Sequence, residues 1–165
     1  VTTSRRRFKE IADKKKQVTA MDLEALVTDE LREEIAGYQL EWFDVEASSR
    51  RPPHATVGVR TPDGEETVGS FTGDGPVDAI FQAINAVTGV DARLREFRID
   101  AVTAGQDALG ETSVVLEVGG IVGSGQGVST DILEAAGRAY VRALSNALRR
   151  QRVRAEAEAA TVPTP

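Results

Sequence analysis

Two glycine-rich steps have the residue spacing best suited to chemistry: GDGPVDAIF at 73–81 and GQGVSTDIL at 125–133. Each runs from Gly-x-Gly through two or three residues to an Asp, then into an apolar helical stretch. A helix start leaves backbone N–H groups without intrahelical partners and carries the positive end of the helix dipole, so it favours an anion. The carboxylate of a free amino acid fits such a site. On the residues alone a plainer reading stands beside this one: the glycines let a strand turn sharply into a helix. Asp74, Asp78 and Asp131 read as residues of helix starts rather than as catalytic carboxylates.

Other chemistries are poorly served. A dinucleotide site needs Gly-x-Gly-x-x-Gly after a strand, and the position of the third glycine is Val128 here. No Lys-Ser/Thr follows the glycines, which disfavours a Walker-type phosphate loop. His54 is the single histidine and Cys is absent, so multi-histidine metal sites, thiolate sites, disulfides and Cys nucleophiles are excluded. No Ser/His/Asp set has plausible triad geometry.

Composition narrows the partners. The 165 residues carry a net charge of −6, a poor balance for nucleic-acid binding, which needs clustered Lys and Arg. The basic runs at 5–7, 14–16 and 149–150 read as solvated helix ends. No apolar run approaches ~18 residues, so no membrane helix is expected. The basic start has no apolar segment after it and is not a secretory signal. A cytoplasmic protein is expected. The chain does not begin with Met and is expected to be part of something longer.

The elements that must position the two steps come next. Residues 4–17 read as a short amphipathic helix with Phe8, Ile11 and Ala12 at helical spacing, Thr19 as the N-cap of a second helix with Leu23, Leu26 and Val27 as its apolar stripe, and Leu31 and Ile35 as a third short turn before Gly37. Residues 1–37 form a helical linker subdomain in this reading. From Tyr38 the pattern changes to period two. Strands are expected at Tyr38–Trp42, Ala55–Arg60 and Glu66–Phe71, with Thr61-Pro62-Asp63-Gly64 as a turn. A helix follows, with Pro76 at its first position, Asp78 in its first turn and Gly89 at its end. The order then repeats: strands at Leu94–Val102 and Thr112–Val118, a third led by Ile121 and Val122 into the glycine step, and a helix from Asp131 to about Arg150. The fold class is α+β, with duplicated βββα units over 38–150 offset by about 52–53 residues between the glycine steps. Residues 151–165 read as a disordered tail. Ala136, Ala139, Ala143 and Ala147 form a small-residue stripe that suits a C2 dimer or close packing on the chain's own sheet.

The stretches GDGPVDAIFQAI, ARLREFRIDAVTAGQDALGETSVVLEV and GSGQGVSTDILEAAGRAYVRALSNALRR resemble the C-terminal regulatory domain of the 2-isopropylmalate synthases, and RRFKEIADKKKQVTAMDLEALV resembles that family's linker subdomain. Citramalate synthases share the domain. The resemblance implies an allosteric domain that binds L-leucine for feedback inhibition of leucine biosynthesis and packs as a homodimer. The family's acyltransferase condenses acetyl-CoA with 2-oxoisovalerate in a TIM barrel with a divalent metal, neither of which is expected in this chain. Alone, the chain should therefore be inactive and hold no cofactor. By the same resemblance the effector site takes Asp74, Gly75, Val77 and Asp78 from the first step, and Leu94, Phe97 and Ala101 from the fourth strand. Ala108 and Gly110 come from the AGQDALGE loop, and Gln126–Ser129 is a further contributor. Phe97 stands where the family often has Tyr. Isoleucine as effector would mark a citramalate synthase, and a ligand-free interaction domain is the other alternative.

Overall fold

The computed structural model describes residues 37–101 and 109–161. The expected helices within 1–36, and Ala108 of the candidate site, lie outside the described residues. Eight elements follow in order: β1 (Gln39–Glu46), β2 (His54–Arg60), β3 (Glu66–Thr72), α1 (Pro76–Thr88), β4 (Arg93–Ala101), β5 (Gly110–Val118), β6 (Ile121–Ser129) and α2 (Ile132–Ala160). They form two antiparallel three-stranded sheets, β1-β2-β3 and β4-β5-β6, each followed by one helix. The duplicated βββα reading holds.

The internal offset is larger than the glycine steps suggest. Gln39 and Arg93, His54 and Gly110, Glu66 and Ile121, Pro76 and Ile132 open equivalent elements and lie 54 to 56 residues apart. The glycine steps are not equivalent to one another. Gly73 and Gly75 do form the turn into α1, but Gly123, Gly125 and Gly127 sit inside β6, paired with Leu116, Val114 and Thr112 of β5. The second "turn" is therefore a strand, and the chain enters α2 at Thr130 and Asp131.

Packing explains those glycines. Alternate residues of β6 share one face, and α2 lies against that face. A Cβ on Gly125 would meet the Ala139 carbonyl and stand 2.5 Å from Ala143 N; one on Gly123 would stand 2.6 Å from Ala147 N; one on Gly127 would strike the Ala135 carbonyl. Strand residues two apart and helix residues four apart advance by nearly the same distance, so the two sets stay in register. A second row repeats the match. Arg142 and Asn146 donate to the carbonyls of Gln126 and Ser124 (2.5 and 2.8 Å), and Arg150 donates to that of Val122 (2.8 Å), which satisfies the outer edge of β6. Ala136, Ala139, Ala143 and Ala147 are all fully buried in the chain's own core. The alanine stripe is thus used internally and does not offer a dimer surface.

The helix does not stop near Arg150, where the sequence reading ends it, but continues to Ala160. Ala, Glu and Arg are strong helix formers, and Arg154 pairs with Glu158 one turn on (3.1 Å). One core joins the two halves, with Ile80 and Ile84 of α1, Tyr140 and Leu144 of α2, Val57 and Val59 of β2, and Val114 and Leu116 of β5 all fully or almost fully buried.

Candidate functional site

The first glycine step is held from both sides. Gly73 N donates to the Pro53 carbonyl (3.0 Å), tying the step to the loop after β1. A Cβ at Gly73 would lie 2.6 Å from Ala79 N and 2.7 Å from Asp78 Oδ2, so only glycine lets the chain pass this close to the helix start. Asp78 Oδ2 accepts from Asp74 N (2.9 Å), which fixes the turn without capping the helix. Gly75 is the N-cap residue of α1 and supplies no side-chain cap. At the other helix start the Asp131 carboxylate accepts from Leu133 N (2.9 Å).

Beside this uncapped start lies an open cleft of about 380 Å³, lined by Ala47, Ser48, Ser49, Pro53, Asp74, Gly75 and Pro76. Sequence reasoning nominated Asp74 and Gly75 of this set and missed the 47–53 loop. A faint signal was present, because the internal repeat makes Ala47 the counterpart of Ala101.

The strand residues fall on one face of β4. Leu94, Phe97, Ile99 and Ala101 oppose Leu116, Val114, Thr112 and Gly110, whose side of the sheet faces α2. A register shift between Leu94 and Glu96 keeps Leu94 and Phe97 on the same side. The row is far from covered: Leu94 and Ile99 are 47% and 49% exposed, Ala101 is exposed and Phe97 is half-buried. Leu94 is therefore no core residue. Gly110 is buried instead, with Ile132 filling the space a Cβ would need. Val77 and Phe97 both pack on the edge of the common core.

The direction of β4 relates this row to α1. Ala92 meets Asn85, whose Nδ2 donates to its carbonyl (2.9 Å), and Phe97 meets Phe81 edge-on with ring centroids 5.7 Å apart. As β4 advances it passes α1 toward the helix start. Gln126–Ser129 belong to β6 and its junction with α2, where Arg142 takes the Gln126 carbonyl and Ser129 Oγ donates to Glu134 (3.0 Å).

Behind the row, Phe81 stacks on Tyr140 at 4.2 Å, and the Tyr140 hydroxyl donates to Asn85 Oδ1 (2.8 Å). Burial pushes the Tyr140 hydroxyl up from 10.0 to about 12. The Asn85 hydrogen bond works the other way, and the charges of Asp91 and Asp78 add to the rise. Among the described residues no three His, Cys, Asp or Glu stand together as a metal seat. No described helix is long and apolar enough to cross a membrane.

A duplicated βββα unit with one open helix start has the build of a regulatory domain. The family model of the LeuA allosteric (dimerisation) domain matches residues 17–148, and the chain belongs to that family. It is 48% identical over 143 residues to the 2-isopropylmalate synthase of Carboxydothermus hydrogenoformans, which covers 86% of this chain and 28% of that protein. It is 46% identical over 139 residues to those of Crocosphaera subtropica and of a Nostoc species, covering 84% of this chain and 26% of each. The chain thus spans little more than a quarter of the length of these relatives.

Proposed function

We propose that this chain is the effector-sensing part of a 2-isopropylmalate synthase, that it binds L-leucine at the first glycine step, and that it pairs with a second copy. The observation that carries the reading is the start of α1, which has no side-chain cap and opens on the cleft lined by Ser48, Ser49, Pro53, Asp74 and Gly75, while Phe97 of the exposed β4 row meets Phe81 of the same helix. The ligand carboxylate would lie on the first N–H groups of α1, the aliphatic side chain against Val77, Phe97 and Ala101, and the ammonium toward Asp74 or Asp78. Burying one aliphatic side chain is worth roughly 1.5–3 kcal/mol, and a micromolar Kd needs about 8 kcal/mol in all, so the carboxylate and ammonium must supply most of it.

Condensation of acetyl-CoA with 2-oxoisovalerate and the divalent metal belong, on this reading, to a catalytic barrel that works with this domain in the cytoplasm. The described residues do not fit such a metal, and no step is assigned to them. Calorimetry with leucine, isoleucine and valine tests the reading. Leucine is expected to bind most tightly, and valine more weakly for want of one methylene. Tighter binding of isoleucine would move the domain to a citramalate synthase. No binding of any of the three would leave an interaction domain without an effector.

A further inference from the structure

Phe97, the β4 residue proposed to meet the ligand, is held from behind by a circuit of side chains, Phe81, Tyr140 and Asn85. Tyr140 of α2 donates to Asn85 of α1 (2.8 Å), and Asn85 donates in turn to the Ala92 carbonyl at the entry to β4 (2.9 Å). Tyr140 also stacks on Phe81, and Phe81 meets Phe97 edge-on at an interplanar angle of 82°. The circuit thus grips β4 at two points, the backbone at Ala92 and the ring of Phe97, with the register shift near Arg95 between them. Tyr140 is 1% exposed and Phe81 5%, so neither can touch a ligand lying on the outer row.

The internal repeat shows that this device is special to one half. The counterparts of Phe81 and Tyr140 are Gly137 and Ile84, and the counterpart of Asn85 is Val141. There β1 packs by a different means: Leu40 fills the space above Gly137, where a Cβ would lie 2.7 Å from Leu40 Cδ2. The fold therefore does not require the aromatic and amide circuit in order to seat the first strand of a unit. It occurs at the first strand whose apolar face is left exposed.

We propose that Tyr140 and Asn85 are positioning residues that set the height and tilt of Phe97 and so determine which branched aliphatic side chain the pocket prefers. This rests on the amino-acid-binding reading above. Leucine and isoleucine have equal volume and differ in where they branch, so they are told apart by the shape of the wall rather than by hydrophobic area. A ring held on two sides reads that difference, and a loosened ring does not.

Tyr140→Phe keeps the stack and removes only the hydroxyl, and Phe81→Leu removes the stack. Leucine, isoleucine and valine are titrated into the whole chain and both variants, with thermal midpoints measured in parallel. The wild type is expected to discriminate between the isomers, and Tyr140→Phe to bring their affinity ratio toward unity by roughly three- to tenfold, about what loss of one buried hydrogen bond allows. Phe81→Leu should do so further. Asn85→Gln, which retains both a donor and an acceptor, should recover more of the ratio than Asn85→Ala. A merely structural role would lower the midpoints and leave the ratio within twofold of wild type, and that result overturns the proposal while leaving amino-acid binding intact. Equal affinity of the wild type for the two isomers overturns it in the same way. A wild-type chain that binds none of the three overturns both.

Discussion

The two helices of this duplicated fold meet their sheets in different ways. α2 lies backbone-close on β6 because Gly123, Gly125 and Gly127 face the carbonyls and amides of its alanine side, and Arg142, Asn146 and Arg150 fasten it to the strand's outer carbonyls. The residues of β3 in the same inward positions, opposite buried Val59, Val57 and Ala55, are Thr67, Gly69 and Phe71; the counterpart of Arg142 on α1 is Ala86, which carries no donor, and that of Asn146 is Val90, beyond the end of α1. α1 meets β3 through a side chain instead, with Gly69 facing Val87 Cβ. α2 is capped by Asp131, and α1 by no side chain among the described residues. The first strands differ as well: Leu40, Phe43 and Val45 of β1 are half-buried, whereas Leu94 and Ile99 of β4 stand about half exposed. Duplication supplied two similar units. The open helix start lies in the first unit and the exposed apolar strand in the second, which is also the unit whose helix is capped and closely packed.

The largest effect expected from breaking this difference is at Gly125. Gly125→Val forces a branched side chain into the backbone of α2, and overpacking of that kind costs about 3 kcal/mol or more. Its counterpart Gly69→Val meets Val87 Cβ at 2.9 Å and no backbone atom nearer than 3.3 Å, a milder overlap, and should cost less by about 1 kcal/mol or more. Urea unfolding of the two variants checks the order, and equal losses would mean that the halves pack alike.

A second effect concerns Tyr140, whose folded pKa of about 12 lies above the ordinary 10.0. The fold favours the neutral hydroxyl, so its contribution is complete below pH 10 and declines as pH rises from 10 toward 12. The loss approaches about 2–3 kcal/mol when both states are ionised. Tyr140→Phe should flatten that part of the stability profile relative to wild type. Parallel declines in the two proteins would place the alkaline loss elsewhere.

Ala101→Phe should fill the proposed pocket and reduce leucine affinity by roughly a hundredfold, about 2.7 kcal/mol. Ala101 is exposed, so the thermal midpoint should hardly change. Undiminished binding would remove β4 from the site.

The smallest effects come from exchanging the caps. Asp131→Ala should cost about 1 kcal/mol. At Gly75 the backbone is extended and open space lies where a Cβ would go, so Gly75→Asp should fit and stabilise α1 by a few tenths of a kcal/mol. The same carboxylate would occupy the N–H groups offered to the ligand and weaken leucine binding about tenfold. A more stable Gly75→Asp chain with unchanged affinity would separate the helix start from the site.

Much of this architecture was legible because local signals and tertiary packing agreed. Pro76, Asp78 and Gly89 mark α1 from end to end, and Gly89 has the left-handed backbone that ends it (φ 69°). The Gly-x-Gly run in β6 misled because alternate glycines signal a turn when read locally. In the fold they answer alanines four apart on α2, so the information lay in two small-residue periods taken together. The exposure of Leu94 and Ile99 was illegible for a related reason. Alternation reveals that one face of β4 is apolar, and only the arrangement of the helices decides whether that face is covered. The 47–53 loop reaches Asp74 and Gly75 through the Gly73–Pro53 hydrogen bond, a contact that no local pattern announces.

The central claim is that the two helix starts differ in function as they do in capping. Amide chemical-shift mapping during a leucine titration tests it most directly. The account predicts shifts that saturate at one leucine per chain, largest at Gly75, Val77 and Asp78, extending to Phe97 and Ala101, and absent at Asp131–Leu133. Saturation at two per chain, with Leu133 shifting as strongly as Val77, or shifts centred on the start of α2, would contradict it.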